Sequence, residues 1–129
     1  MSDSRYQTAD EEAEMGYREL KVYEKSYQAA IAIYRMTETF PKEEIYGLTS
    51  QIRRAATSIP LNIAEGYAKR ESQAEFKRYI QIALGSSDEV QVLLDFAKDL
   101  SYIEEEKYGK AQTAYKEISK MLNGFSKSI

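Results

Sequence analysis

Leu48-Thr49-Ser50-Gln51-Ile52-Arg53-Arg54-Ala55-Ala56-Thr57-Ser58-Ile59-Pro60-Leu61-Asn62-Ile63-Ala64-Glu65-Gly66-Tyr67 is the stretch whose periodicity settles the fold class. Leu48, Ile52, Ala55, Ala56, Ile59, Ile63 and Tyr67 recur at three- and four-residue spacing, which at about 100° per residue gathers them on one face of an α-helix. A strand would scatter the same residues over both of its faces. Gly47 precedes the run, and Thr49 or Ser50 is the expected acceptor for an orphaned backbone N–H at the helix start. Pro60 lies inside the pattern, yet the stripe continues on both sides of it. The reading is therefore one helix kinked at Pro60, not two helices.

The same period extends outward in both directions. Upstream, Leu20, Tyr23, Tyr27, Ile31 and Tyr34 form a stripe that ends at Phe40-Pro41, where the proline disfavours the helical conformation of the residue before it. Downstream, Lys69-Arg70-Glu71 leads into Ser72-Gln73-Ala74-Glu75, a capping box in which Ser72 and Glu75 satisfy each other's backbone donors. Phe76, Ala83, Val90 and Ala97, flanked by Tyr79, Ser86, Leu93 and Leu100 and by Ile80, Ser87 and Leu94, then make the wide stripe of a core-facing helix running to Leu100. After a polar link at 101–104, Glu104-Glu105-Glu106 sits where the positive end of a new helix favours carboxylates. Tyr108, Ala111, Tyr115, Ile118 and Leu122 form its apolar face, Lys107, Lys110, Lys116 and Lys120 its wet face, and Asn123-Gly124 its expected stop. Four amphipathic helices on short links bury their stripes most simply as an antiparallel up-down-up-down four-helix bundle, so the fold class is all-α.

The chain has 129 residues, enough for one core and too few for a second independent domain. With no Cys and no His, it lacks thiol nucleophiles, disulfides, zinc-thiolate ligands, imidazole bases and the Glu-x-x-His motifs of di-iron bundles. No apolar run approaches the ~20 residues that cross a bilayer, and the N-terminus is acidic, so a cytoplasmic location is expected. Residues 1–19 carry two cations against six anions and little apolar surface. They are expected to be a mobile tail, with a short helix over 9–15 at most, leaving residues 20–129 as the bundle domain. Net charge is −3 for the whole chain but +1 beyond residue 19. Bulk charge thus gives no nucleic-acid footprint, and only local clusters remain as candidates.

The second and third helices carry more than one patterned face. Arg54, Ser58, Leu61 and Glu65 fall together on the side of the second helix away from its stripe, and Gly85, Glu89, Val92 and Phe96 do the same on the third. Apolar residues arrayed along two neighbouring helices, with a glycine permitting close approach, point to a subunit interface. Arg54 is the natural partner for Glu89, within or between subunits. Isolated Gly47 and Gly66 make neither a P-loop nor a dinucleotide fingerprint, and no cofactor is indicated. Lys69, Arg70, Lys77 and Arg78 should lie near one another, with Arg53 and Arg54 several turns away. These are the candidate contacts to phosphate or to a partner, although paired cations beside Glu71 and Glu75 are also the ordinary make-up of a solvated helix face.

The run from Tyr46-Gly47-Leu48 to Ala64-Glu65-Gly66 closely resembles the 23S rRNA intervening-sequence protein family, a family of four-helix bundle proteins. Leu20-Lys21-Val22-Tyr23, Phe40-Pro41-Lys42-Glu43, the segment 76–83, Gly85-Ser86 and Glu89 extend the likeness; Tyr23 stands where many members have Trp. The resemblance implies a bundle that assembles as a homopentamer with no enzymatic activity. It also implies kinship with the accessory variability proteins of diversity-generating retroelements, basic pentamers that bind a reverse transcriptase and nucleic acid, whereas this chain is acidic overall. The expected function is a non-enzymatic oligomeric binding module associated with RNA or with such an enzyme; the alternative is a protein-interaction scaffold without a nucleic-acid role.

Overall fold

Four segments become helix where the apolar period requires it. The computed structural model describes residues 16–129, in which these are α1 (Lys21–Thr37), α2 (Leu48–Ala68), α3 (Gln73–Asp99) and α4 (Glu105–Ser128). A single 3-10 turn, Lys42–Glu44, lies between α1 and α2, and residues 16–19 add a helical turn before α1. Among the described residues there is no strand. The part of the acidic tail up to residue 15, with the short helix expected at 9–15, lies outside them.

The core is where α2, α3 and α4 bring their branched aliphatic residues together. Ile52, Ile59 and Ile63 meet Ile80, Val90 and Leu94, with Ile118 and Leu122 closing the third side. Each such side chain stabilises the fold by roughly 1.5–3 kcal/mol on full burial. Contacts between successive helices step in opposite directions along the chain. Ser58 hydrogen-bonds Ser86 at 2.9 Å while Gly66 abuts Phe76 and Tyr79, and Ser119 bonds Ser87 while Gln112 reaches Asp95 and Lys98 pairs with Glu105. Lys25 on α1 pairs with Glu117 on α4 at 3.4 Å, which closes the ring of helices.

In α1 the buried row differs from the expected one. Val22, Ser26, Ala30, Ile33 and Thr37 face the core, whereas Tyr27 and Tyr34 are exposed and Tyr23 and Ile31 half-buried. The hydroxyls on the true inner row are satisfied locally: Ser26 Oγ donates to the Tyr23 carbonyl at 3.0 Å and Thr37 Oγ1 to that of Ile33 at 2.9 Å. Small residues with self-satisfied hydroxyls let α1 approach, and amphipathic tyrosines tolerate the outer row.

The helix ends also depart from expectation in part. The donor at the start of α2 goes not to Thr49 or Ser50 but to Glu44, whose Oε1 accepts the Leu48 N–H at 3.1 Å. At α3 only half of the capping box forms: Ser72 Oγ accepts the Glu75 N–H at 3.2 Å, but the Glu75 carboxylate turns to Arg78. α1 ends at Thr37, three residues before Phe40, and α4 continues past Asn123-Gly124 because Phe125 packs on Phe76 at 5.4 Å and Ser126 is buried. Packing there outweighs the ~1 kcal/mol helix cost of glycine. The α3–α4 link turns on Ser101 at φ 64°, with the Tyr102 N–H returning to the Ala97 carbonyl at 2.8 Å. Pro60 is buried within one continuous α2.

Candidate functional site

The turn between α2 and α3 collects cations and aromatic rings because Gly66, lacking a side chain, lets α2 approach α3 closely there. A Cβ on Gly66 would stand 2.8 Å from the Tyr79 Cβ and 3.3 Å from the Phe76 carbonyl oxygen. This close approach sets Tyr79 against the turn, with Lys69 Nζ 5.4 Å and Arg78 Cζ 4.5 Å from its ring centroid. Arg70 lies 4.2 Å over the Tyr67 ring and donates to the Tyr67 carbonyl at 2.9 Å. The structure therefore brings Lys69, Arg70 and Arg78 onto two tyrosines, with Lys77 exposed in the second turn of α3.

These charges are partly neutralised where they stand. Lys69 bonds Glu65 at 2.8 Å and Arg78 bonds Glu75 at 2.9 Å. The Glu65 hydrogen bond raises the affinity of Lys69 for its proton, and Arg78 holds the Glu75 carboxyl below its usual range. Both pairs are solvent-exposed, where such bonds contribute little. Arg53 is separate from this group. Its Nε donates to Thr37 Oγ1 at 2.7 Å, and its guanidinium lies 4.8 Å over the Tyr34 ring, so it ties the end of α1 to α2. Arg54, one residue on, is exposed.

Of the residues expected on the outer faces of α2 and α3, all but Ser58 are exposed. Leu61 is 67% exposed, Val92 54% and Phe96 57%, with Arg54, Glu65, Gly85 and Glu89 exposed around them. Nothing lies within 4 Å of a Cβ placed on Gly85. Ser58 belongs elsewhere: it is half-buried and spends its hydroxyl on Ser86 and Asn62, helping to join α2 to α3. Arg54 and Glu89 form no ion pair within the chain, among the described residues. Leu100, expected on the core-facing stripe, is instead exposed because it stands just past the end of α3, and Ile82, which the sequence reading passed over, is also exposed. Sequence reasoning also missed Tyr46, 95% exposed beside exposed Ile45 in the α1–α2 link.

Among the described residues no cluster of carboxylates could hold a metal ion, and no helix is long and apolar enough to cross a membrane. The model of the 23S rRNA-intervening sequence protein family matches residues 18–124. The chain belongs to that family. A crystal structure of a protein of unknown function, from the S23 ribosomal protein family of Bacteroides thetaiotaomicron, is similar with a TM-score of 0.75. Its sequence is 30% identical, and the match covers 82% of this chain and 95% of that one. No curated protein matches. The family match spans every helix except the last residues of α4, so the Gly66 contact, the basic turn and the outward apolar row all lie inside the 23S rRNA-intervening sequence protein region.

Proposed function

We propose that the chain is one copy of a non-enzymatic homo-oligomeric binding module of the cytoplasm, carrying RNA or a nucleic-acid enzyme such as a retroelement reverse transcriptase. The observation that supports this most is the exposure of Leu61 on α2 and of Ile82, Val92, Phe96 and Leu100 on α3, two adjacent helices. One exposed leucine is ordinary, but several large apolar side chains left in water on the outer faces of two packed helices support a protein contact. Five copies is the number that the resemblance implies. The family is named for intervening sequences of 23S rRNA, which makes structured RNA the first probe. Lys69, Arg70, Lys77 and Arg78, backed by Arg54, are the contacts assigned to it. A scaffold with no nucleic-acid role is the second reading, favoured by the Glu65 and Glu75 partners of the cations and by the net charge of −3.

Light scattering and RNA titration test both parts. The assembly should exceed one chain at micromolar concentration. RNA affinity should fall steeply from low to moderate salt, and the slope should lessen by roughly one unit for each phosphate-contacting cation changed to Ala. A strict monomer would overturn the assembly. An oligomer that leaves structured RNA and duplex DNA unbound at low salt would transfer the reading to the scaffold.

A further inference from the structure

The described residues begin on an aromatic ring that also carries a cation. A Cβ on Gly16 would stand 2.5 Å from the Tyr67 hydroxyl oxygen and 2.9 Å from Cζ of the same ring, so the Gly16 backbone lies directly against Tyr67. Tyr17 secures this start by packing edge-on against Tyr23 of α1, with ring centroids 4.9 Å apart. The Arg70 guanidinium lies 4.2 Å over the Tyr67 ring. Gly16 and Arg70 thus touch one side chain, and whatever precedes residue 16 departs beside the α2–α3 turn.

What precedes it is acidic. Residues 1–15 hold Asp3, Asp10, Glu11, Glu12 and Glu14 against the single cation Arg5. The last four of these carboxylates fall between two and six residues before Gly16, a reach of at most ~9 Å along a helix and ~20 Å along an extended chain. Arg70 has no ion-pair partner among the described residues, and Lys69 and Arg78 hold theirs only in exposed pairs, at 2.8 and 2.9 Å. Glu71, the remaining carboxylate of the turn, pairs with none of them. A carboxylate arriving from 10–14 therefore meets a guanidinium that no other carboxylate engages, on the very ring where the chain emerges. Attachment strengthens the encounter, because a tethered partner acts at an effective concentration of roughly millimolar, so pairs that are individually weak suffice.

We propose that the carboxylates of residues 10–14 dock on Arg70, with Lys69 beside it, in their own chain and compete there with phosphate, so that the acidic segment regulates the basic turn. The regulation rests on the RNA reading of that turn; the docking does not. A zero-length carbodiimide, which joins a carboxylate to an amine only in contact, tests the docking without RNA. In the full chain carrying Arg70→Lys, which keeps the charge and supplies an amine, peptide mapping should find residues 10–14 joined to position 70 and to Lys69. Lys42, before α2, and Lys107, in the first turn of α4, should not be joined to them. The Glu65–Lys69 pair is the internal standard, and its link should form in every sample. In a mixture of isotopically labelled and unlabelled chains, each joined pair of peptides should come from one kind of chain. The standard link without any from 10–14, links spread evenly over Lys42 and Lys107, or joined peptides of mixed label would each overturn the docking. The regulation is read by RNA titration. Asp10→Asn with Glu11→Gln, Glu12→Gln and Glu14→Gln should tighten RNA binding by about tenfold at low salt, the amount that two or three exposed ion pairs contribute. The reference is a chain neutralised equally at exposed carboxylates away from the turn, by Glu38→Gln, Glu43→Gln, Asp99→Asn and Glu104→Gln. Equal affinities of the two variants would overturn the regulation. RNA bound by neither would overturn the RNA reading and the regulation together, while the cross-links still decide the docking.

Discussion

Glu44 serves two elements with one carboxylate. Oε1 accepts the first N–H of α2 at Leu48, and Oε2 accepts the Tyr102 hydroxyl at 2.8 Å from the α3–α4 link. Neither bond joins neighbours in sequence in a way that a helical pattern announces, which is why Thr49 and Ser50 looked the better caps. The Leu48 N–H, then the Tyr102 hydroxyl, hold the Glu44 carboxyl below its ordinary 4.5, and burial opposes them weakly. Tyr102 is raised in turn, first by that hydrogen bond. A lowered carboxyl stabilises the fold fully above its unfolded value and loses that contribution as the pH falls through its folded value. The unfolding midpoint should therefore drop as acid is added below pH 4.5, and Glu44→Gln, which keeps an acceptor for Leu48 but cannot titrate, should flatten this part of the profile. Denaturant melts of the two proteins across that window check it; parallel profiles would remove Glu44 from the account.

At the scale of elements, the α2–α3 pair is joined most closely where Gly66 meets Tyr79 and Phe76. A methyl group there would press on the Tyr79 Cβ and the Phe76 carbonyl, which are fixed parts of α3, not the free end of a long side chain. Gly66→Ala should cost about 1–3 kcal/mol in chemical denaturation despite the better helix propensity of alanine, because overpacking outweighs it. A stabilised variant would mean that the helices separate freely. The contact also explains what could be read in advance. Long stripes of Ile, Leu and Val identify α2, α3 and α4 because only burial accounts for branched aliphatic residues at that spacing. The inner face of α1 is not legible in the sequence because Ser26 and Thr37 look polar although their hydroxyls bond their own helix, Ala30 looks neutral, and the tyrosines look apolar although they stand partly in water. The candidate site followed the same division. Exposed Leu61, Val92 and Phe96 were legible because they oppose a clear stripe. The attachment of Arg53 to Thr37 was not, since it depends on which helices meet across a long sequence separation.

For the whole molecule, the question is which sides of the ring of helices remain wet. The three glycines at 85, 109 and 124 each have open space around a would-be Cβ within one chain, yet only Gly85 lies on the face assigned to assembly. In an isolated helix interior, glycine to alanine stabilises by about 0.5–1 kcal/mol through the unfolded chain's lost freedom and the helix's gain. Gly109→Ala should show that gain in denaturant melts and leave the association constant unchanged. Gly85→Ala should show the same gain for the dissociated chain but weaken assembly, because a glycine that admits another copy's backbone becomes overpacked when methylated. With a cost of about 1–3 kcal/mol at each contact, the dissociation constant should rise by about fivefold to over a hundredfold. Sedimentation equilibrium over a range of concentrations separates the two effects, since monomer stability and association respond in opposite directions for Gly85→Ala and not for Gly109→Ala. Identical association of the two variants would place the subunit contact on another side of the bundle, leaving Leu61, Val92 and Phe96 without the role proposed for them.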